Sequence, residues 1–188
     1  MLILVVIHQC KGSVPEMSEK NSFGAAAEDL LLRRYHELGN APPVIDIVEN
    51  DCEYGDLGAH TMDRHGPGIP LRRAAGVKTI EGRIYGDWPW RRKVNRSYQW
   101  TDVRTIDREV NAQLRRNWET IRIDLAARHF AESIFDVGRR VGRGYYNGGM
   151  YEASARRACY AETDLFLVRL RLAPDSAVPF VLSTFPWS

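Results

Sequence analysis

The chain has 188 residues, of which 44% are hydrophobic and 27% charged, a composition that can bury a core. Disordered, collagen-like and coiled-coil classes are thereby excluded for the chain as a whole. The net charge of +2 conceals a split: residues 1–58 hold ten acids and four bases, net −6, and the remainder holds 22 bases and 14 acids, net +8.

Of the 26 bases, 22 are arginine, and nearly all of the positive excess follows Leu57. This suggests two parts: residues 1–54 as an acidic docking or masking element, and residues 55–188 as a polyanion-binding domain. An arginine-biased composition spread over a solvated surface would give the same count. Cys10, Cys52 and Cys159 are odd in number and stand at no metal-ligand spacing, so they are expected to be reduced. The apolar run at residues 1–7 has no basic flank and is too short for a signal peptide or a membrane span, so it is expected to be a buried strand.

A helix is expected at residues 25–38, where Ala27, Leu31, Tyr35 and Leu38 recur at helical spacing and Gly39 follows as a stop. Residues 44–48 are apolar and read as a second strand, and 49–56 as an acidic loop. A helical turn is expected at 59–64, then irregular backbone through 83–96, where Gly, Pro, Arg and Trp are frequent. The clearest element follows: Ile106, Val110, Leu114, Trp118, Ile121 and Leu125 form one helical stripe, with Thr101 or Asp102 as N-cap. Residues 134–137, 141–145, 164–172 and 178–185 read as strands, with a turn at Pro174-Asp175-Ser176 and a long surface loop at 147–163. Helices first and an antiparallel sheet last predict an α+β fold.

Zinc, P-loop and dinucleotide signatures are lacking, so neither a metal site nor a cofactor is expected. The best chemical candidate is Gly58-Ala59-His60-Thr61-Met62-Asp63-Arg64-His65, two histidines five apart with Arg64 between them and Arg72-Arg73 close behind. Histidine can take and return a proton near neutrality, and arginine can offset charge on phosphate oxygens. That pairing suits metal-free RNA cleavage by 2′-hydroxyl attack; the alternative is one core histidine and one surface histidine. His8, His36 and His129 are expected to be structural.

Two further stretches are weaker candidates. Ser183 and Thr184 are hydroxyls at a strand end that could hold a phosphate or a base edge, or simply finish a sheet. Trp88, Trp90, Tyr98 and Trp100, interleaved with Arg91, Arg92, Lys93 and Arg96, could cradle single-stranded RNA, or Tyr98 and Trp100 could be core.

Four stretches, in order, resemble the bacterial RNase A-like toxin domain found at the C-terminal ends of contact-dependent growth-inhibition proteins and other polymorphic toxins. They are the Gly58–His65 motif, Ser97-Tyr98-Gln99-Trp100-Thr101-Asp102, Val141-Gly142-Arg143-Gly144, and Leu182-Ser183-Thr184-Phe185-Pro186. The resemblance covers residues 55–188. It implies a kidney-shaped α+β fold like that of pancreatic-type RNase A without the disulfides, metal-independent RNA cleavage, and a cognate immunity protein. It also implies delivery by a specialised system into a target cell.

Carried over by motif, His65 or His60 would be the catalytic histidine, with His65 favoured, and Arg72 or Arg73 would stabilise phosphate charge. Ser183 stands where the family commonly has threonine, with Thr184 one residue away. Phe185 stands where many members have tyrosine and lacks the phenol. Two rivals remain at this level: a non-catalytic RNA-binding module, and a toxin of other chemistry such as ADP-ribosyl transfer.

Overall fold

The computed structural model describes residues 18–149 and 155–188. In chain order the elements are α1 (Ser18–Glu37), α2 (Ile47–Glu53), α3 (Thr61–His65), α4 (Ile80–Tyr85), β1 (Arg96–Trp100), α5 (Val103–Arg128), β2 (Phe130–Asp136), β3 (Gly142–Asn147), β4 (Ala158–Thr163), β5 (Leu165–Leu172) and β6 (Pro179–Trp187). The fold is α+β, as expected, with two antiparallel three-stranded sheets ordered β1-β3-β4 and β2-β5-β6. The strand expected at residues 1–7, together with His8 and Cys10, lies outside the described residues. Among the described residues no helix is long and apolar enough to cross a membrane.

The long helix organises the core because its stripe is continuous. Asp102 caps α5 by accepting from the Thr105 N–H at 2.8 Å, and His129 closes it in the left-handed conformation at φ 57°. Between those ends Ile106, Val110, Leu114, Trp118, Ile121 and Leu125 are all buried, packed with Trp100, Phe166, Val168, Leu170 and Val181 from the strands. Truncating one of the largest of these, such as Trp100 or Phe166, would cost about 3–5 kcal/mol.

Leu38, Ile45 and Ile47, from the acidic part of the chain, belong to the same buried cluster. The Asn111 amide grips Ile45 through both backbone groups, accepting from its N–H at 2.8 Å and donating to its carbonyl at 2.7 Å. Asn50 does the same for Val181 of β6, at 2.8 Å in each direction. Two side-chain amides thus stand in for strand partners.

Four expected elements differ. The strand expected at 44–48 gives way to α2, because the Asp46 side chain accepts from the Val48 and Glu49 N–H groups and starts a helix there. That helix and a 3₁₀ turn at Gly55–Leu57 also replace the expected acidic loop. The irregular stretch begins later than expected, since α4 runs to Tyr85 with Thr79 as N-cap and Gly86, at φ 74°, as stop. The loop expected at 147–163 contains β4, which pairs with β3 in the register Tyr145↔Tyr160. Ala158, Ala161 and Glu162 weaken the strand signal of Tyr160 and Thr163, and pairing with β3 decides the conformation.

Candidate active site

The two sheets meet where β6 runs past β1 and β3, and β3 carries glycine at the closest approaches. A Cβ on Gly144 would lie 2.1 Å from the Ser97 carbonyl oxygen, and one on Gly142 would lie 2.2 Å from the Pro186 side chain. The Val141-Gly142-Arg143-Gly144 motif is therefore a packing device that lets β1 and β6 close on β3. Helix α3 is pinned above this junction. The Thr184 N–H donates to Thr61 Oγ1 at 3.0 Å, the His60 N–H donates to the Leu182 carbonyl at 3.3 Å, and the Met62 N–H donates to Asp51 Oδ2 at 2.6 Å. Leu182 falls where the β5–β6 register shifts, so the irregularity in β6 supplies the carbonyl that receives His60. Trp100 completes the lattice, its Nε1–H donating to the Thr184 carbonyl at 3.1 Å.

Both histidines line one cavity of about 150 Å³, together with Arg64, Arg83, Arg96 and Phe185. His65 is 7% exposed, and its Nδ1 lies 3.0 Å from the Tyr98 carbonyl oxygen. His60 Nδ1 lies 2.6 Å from the Gly58 carbonyl oxygen. A carbonyl only accepts, so both Nδ1 atoms carry the proton and Nε2 is left as the acceptor on each ring. His65 Nε2 makes no hydrogen bond within the protein and is not among the polar atoms sealed from solvent. The ring of Phe185 stacks on His65 at 4.6 Å between centroids and 20° between planes, fixing the imidazole plane. Arg169 lies over the other ring of this stack, 5.5 Å from the Phe185 centroid, and is itself held by Glu132.

Burial disfavours the charged form of both rings. Burial pushes the His65 pKa down to about 3, and the Arg83 charge adds to that push. Burial also lowers His60, against the Gly58 hydrogen bond and the nearby Asp51 carboxylate, which favour the charged form. Arg83 is pushed down to about 10, first by burial and then by Arg64. Among the described residues it has no carboxylate within ion-pair distance. A half-buried arginine without an ion-pair partner, beside two imidazoles whose Nε2 atoms accept, forms a site where an anion is held by the guanidinium while a hydroxyl on the same ligand donates to an imidazole.

The sequence-derived candidates separate into two groups. His60, His65, Arg64, Arg96 and Phe185 come together in this cavity. Arg72 and Arg73 do not line it: Arg73 is clamped by Asp87 at 2.5 and 2.7 Å and lies over Tyr85, and Arg72 is exposed. The Gly66-Pro67-Gly68 turn and α4 carry that part of the chain away, and α4 delivers Arg83 in their place.

Ser183 and Thr184 are fully buried and line no part of the cavity; the Thr184 hydroxyl donates to the Leu167 carbonyl at 2.8 Å. Tyr98 and Trp100 are core residues. Trp90, Arg91 and Arg92 line a neighbouring groove, Trp88 is 76% exposed on a separate concavity beside Arg73, and Lys93 is exposed and lines neither. His36 and His129 are exposed.

Both Arg83 and α4 were missed at the level of sequence; the signal that marks the helix is Ile80 and Ile84 at i, i+4, with Thr79 ahead of them and Gly86 after them. Among the described residues no three His, Cys, Asp or Glu side chains gather as a metal site.

No protein-family model matches the sequence, and no curated protein matches it at a significant level. A solved chain that is similar comes from the crystal structure of a CdiA-CT/CdiI complex from Y. kristensenii 33638. The likeness has 12% sequence identity and a TM-score of 0.42, covering 51% of this chain and 80% of that one. A likeness of that degree carries no argument about this chain's activity.

Proposed function

We propose that the protein is a metal-independent ribonuclease of the toxin type, cleaving RNA by 2′-hydroxyl attack to leave a 2′,3′-cyclic phosphate. The observation that carries this reading is the pair of imidazoles in one cavity. Each is tied through Nδ1 to a backbone carbonyl, and both face the uncompensated Arg83. The toxin setting, delivery into a target cell and an immunity partner rest on the sequence motifs alone.

His65, the deeper and more neutral ring, is the base. Its Nε2 takes the proton of the 2′-hydroxyl, and the 2′-oxygen forms a bond to the adjacent phosphorus. The bond from phosphorus to the 5′-oxygen breaks, and that oxygen takes a proton from Nε2 of His60 in its imidazolium form. Arg83 and Arg64 hold the non-bridging oxygens, where negative charge builds. Burial is the main cause of both lowered pKa values, and Arg83 adds to it, more at His65 than at His60; a bound phosphodiester offsets the Arg83 charge and so moves both upward. Phe185 serves this scheme without a phenol, because it holds the His65 ring in plane rather than exchanging a proton.

The test is to incubate the pure protein with a short RNA in EDTA and to analyse the ends. Cyclic phosphate and 5′-hydroxyl termini support the reading, and intact RNA contradicts it. A non-catalytic RNA-binding module would bind RNA and leave it intact.

A further inference from the structure

Arg64 and Arg83 line two concavities at once. On one side lies the histidine cavity, and on the other a groove of about 640 Å³ lined also by Lys78, Trp90, Arg91 and Arg92 and by one carboxylate, Asp63. Trp90 floors this groove in a fixed orientation, its Nε1–H donating to the Thr79 carbonyl at 2.8 Å. Its ring is taken up by cations, with Lys78 Nζ at 4.9 Å and the Arg83 guanidinium at 4.7 Å from the centroid. Lys78 is also paired with Asp63 at 2.5 Å. Arg64, Arg83, Arg91 and Arg92 have no carboxylate within ion-pair distance among the described residues.

We infer that this groove is a phosphate track for the strand flanking the scissile bond, which reads backbone charge and not bases. The inference rests on the ribonuclease reading for its substrate, and it replaces base stacking on Trp90 with a role as a mount for cations. Four guanidiniums without an ion-pair partner line the groove and two of them line the histidine cavity as well, which favours a polyanion that enters the cavity, and a nucleic-acid backbone is such a chain. The strand must be unpaired, because in-line attack by the 2′-oxygen needs a ribose-phosphate unit free to leave the A-form arrangement. Arg91 and Arg92, which line the groove alone, add affinity for the phosphates they neutralise while leaving the reacting atoms untouched. Longer RNAs are therefore cut more efficiently than dinucleotides, largely through KM.

The experiment uses the full chain and the double variant Arg91→Gln, Arg92→Gln, both exposed positions away from the histidines. Binding is measured on a ten-nucleotide 2′-O-methyl RNA, which cannot be cleaved, and turnover on a dinucleoside monophosphate and on the ten-nucleotide RNA. The expected result is an affinity loss of about tenfold, with a salt dependence shallower by about 1.4 in log–log slope, about 0.7 for each lost contact. Dinucleotide cleavage should stay within about twofold of the wild type.

Equal loss on both substrates, unchanged binding of the long RNA, or equally tight binding of poly-glutamate at the same sites would overturn the track. If neither RNA is cut by the wild type while binding follows the expected pattern, the ribonuclease reading fails and the track stands.

Discussion

The histidine cavity and the groove beside it share two arginines yet are built in opposite ways. Both imidazoles of the cavity are held by backbone carbonyls, His65 by one of β1 and His60 by one of the turn before α3, and α3 itself is pinned to β6 and to the Asp51 carboxylate. The groove is lined by long cationic side chains from α3, α4 and the segment after Tyr85, most of them exposed. Fixed geometry suits proton transfer, which fails when a ring shifts by an ångström, whereas flexible charge suits a backbone whose phosphates vary in position. Substitutions in the cavity should therefore act on kcat and those in the groove on KM.

The largest effect is expected at His65. Replacing it with Gln should lower kcat by about 10³-fold or more, measured on the dinucleotide, with KM little changed. The same variant tests the burial of the ring. A histidine with a lowered folded pKa contributes stability above its unfolded value of 6.5, and that stability is lost as pH falls toward about 3. The wild type should lose thermal stability through this window, and His65→Gln should flatten the loss.

Arg83→Met comes next, with a fall in kcat of about 10²–10³-fold, since it removes the charge that meets the phosphate oxygens. An effect confined to KM would move Arg83 from the cavity's chemistry to the track's. His60→Gln should cost about 10²-fold and also change the pH profile. His60 is lowered by burial, so the acid it supplies is lost as pH rises through a value below 6.5. Wild-type kcat/KM should fall on that limb, and the variant should lose the limb. The smallest effect is expected at Arg73→Ala, which breaks an ion pair with Asp87 outside the cavity and should leave cleavage unchanged. A fall as large as that of Arg83→Met would return the phosphate role to Arg73.

The sequence signals that survived are those whose cause is local. The α5 stripe, the Asp102 cap and the turn before β6 follow from spacing and side-chain chemistry, and the histidine pair from its five-residue separation. Elements decided by distant partners were illegible. Asp46 caps a helix where apolar residues alone suggest a strand, β4 takes its form from β3, and Ile45 is fixed by Asn111 from a helix far along the chain. Arg72 and Arg73 follow the histidines more closely in sequence than Arg83, but the turn after His65 spends that proximity on a different face. The charge boundary near residue 58 marks where the basic site begins, whereas Ile45 and Ile47, on its acidic side, are buried with α5.

The central claim is that a neutral His65, a protonated His60 and an arginine without an ion-pair partner suffice to cleave RNA. The most direct measurement is mass spectrometry of the ends formed when the pure wild type and His65→Gln are each incubated with a ten-nucleotide RNA in EDTA. The wild type should give 2′,3′-cyclic phosphate and 5′-hydroxyl ends, and the variant none above background. Intact RNA with the wild type, or equal cleavage by both proteins, would contradict it.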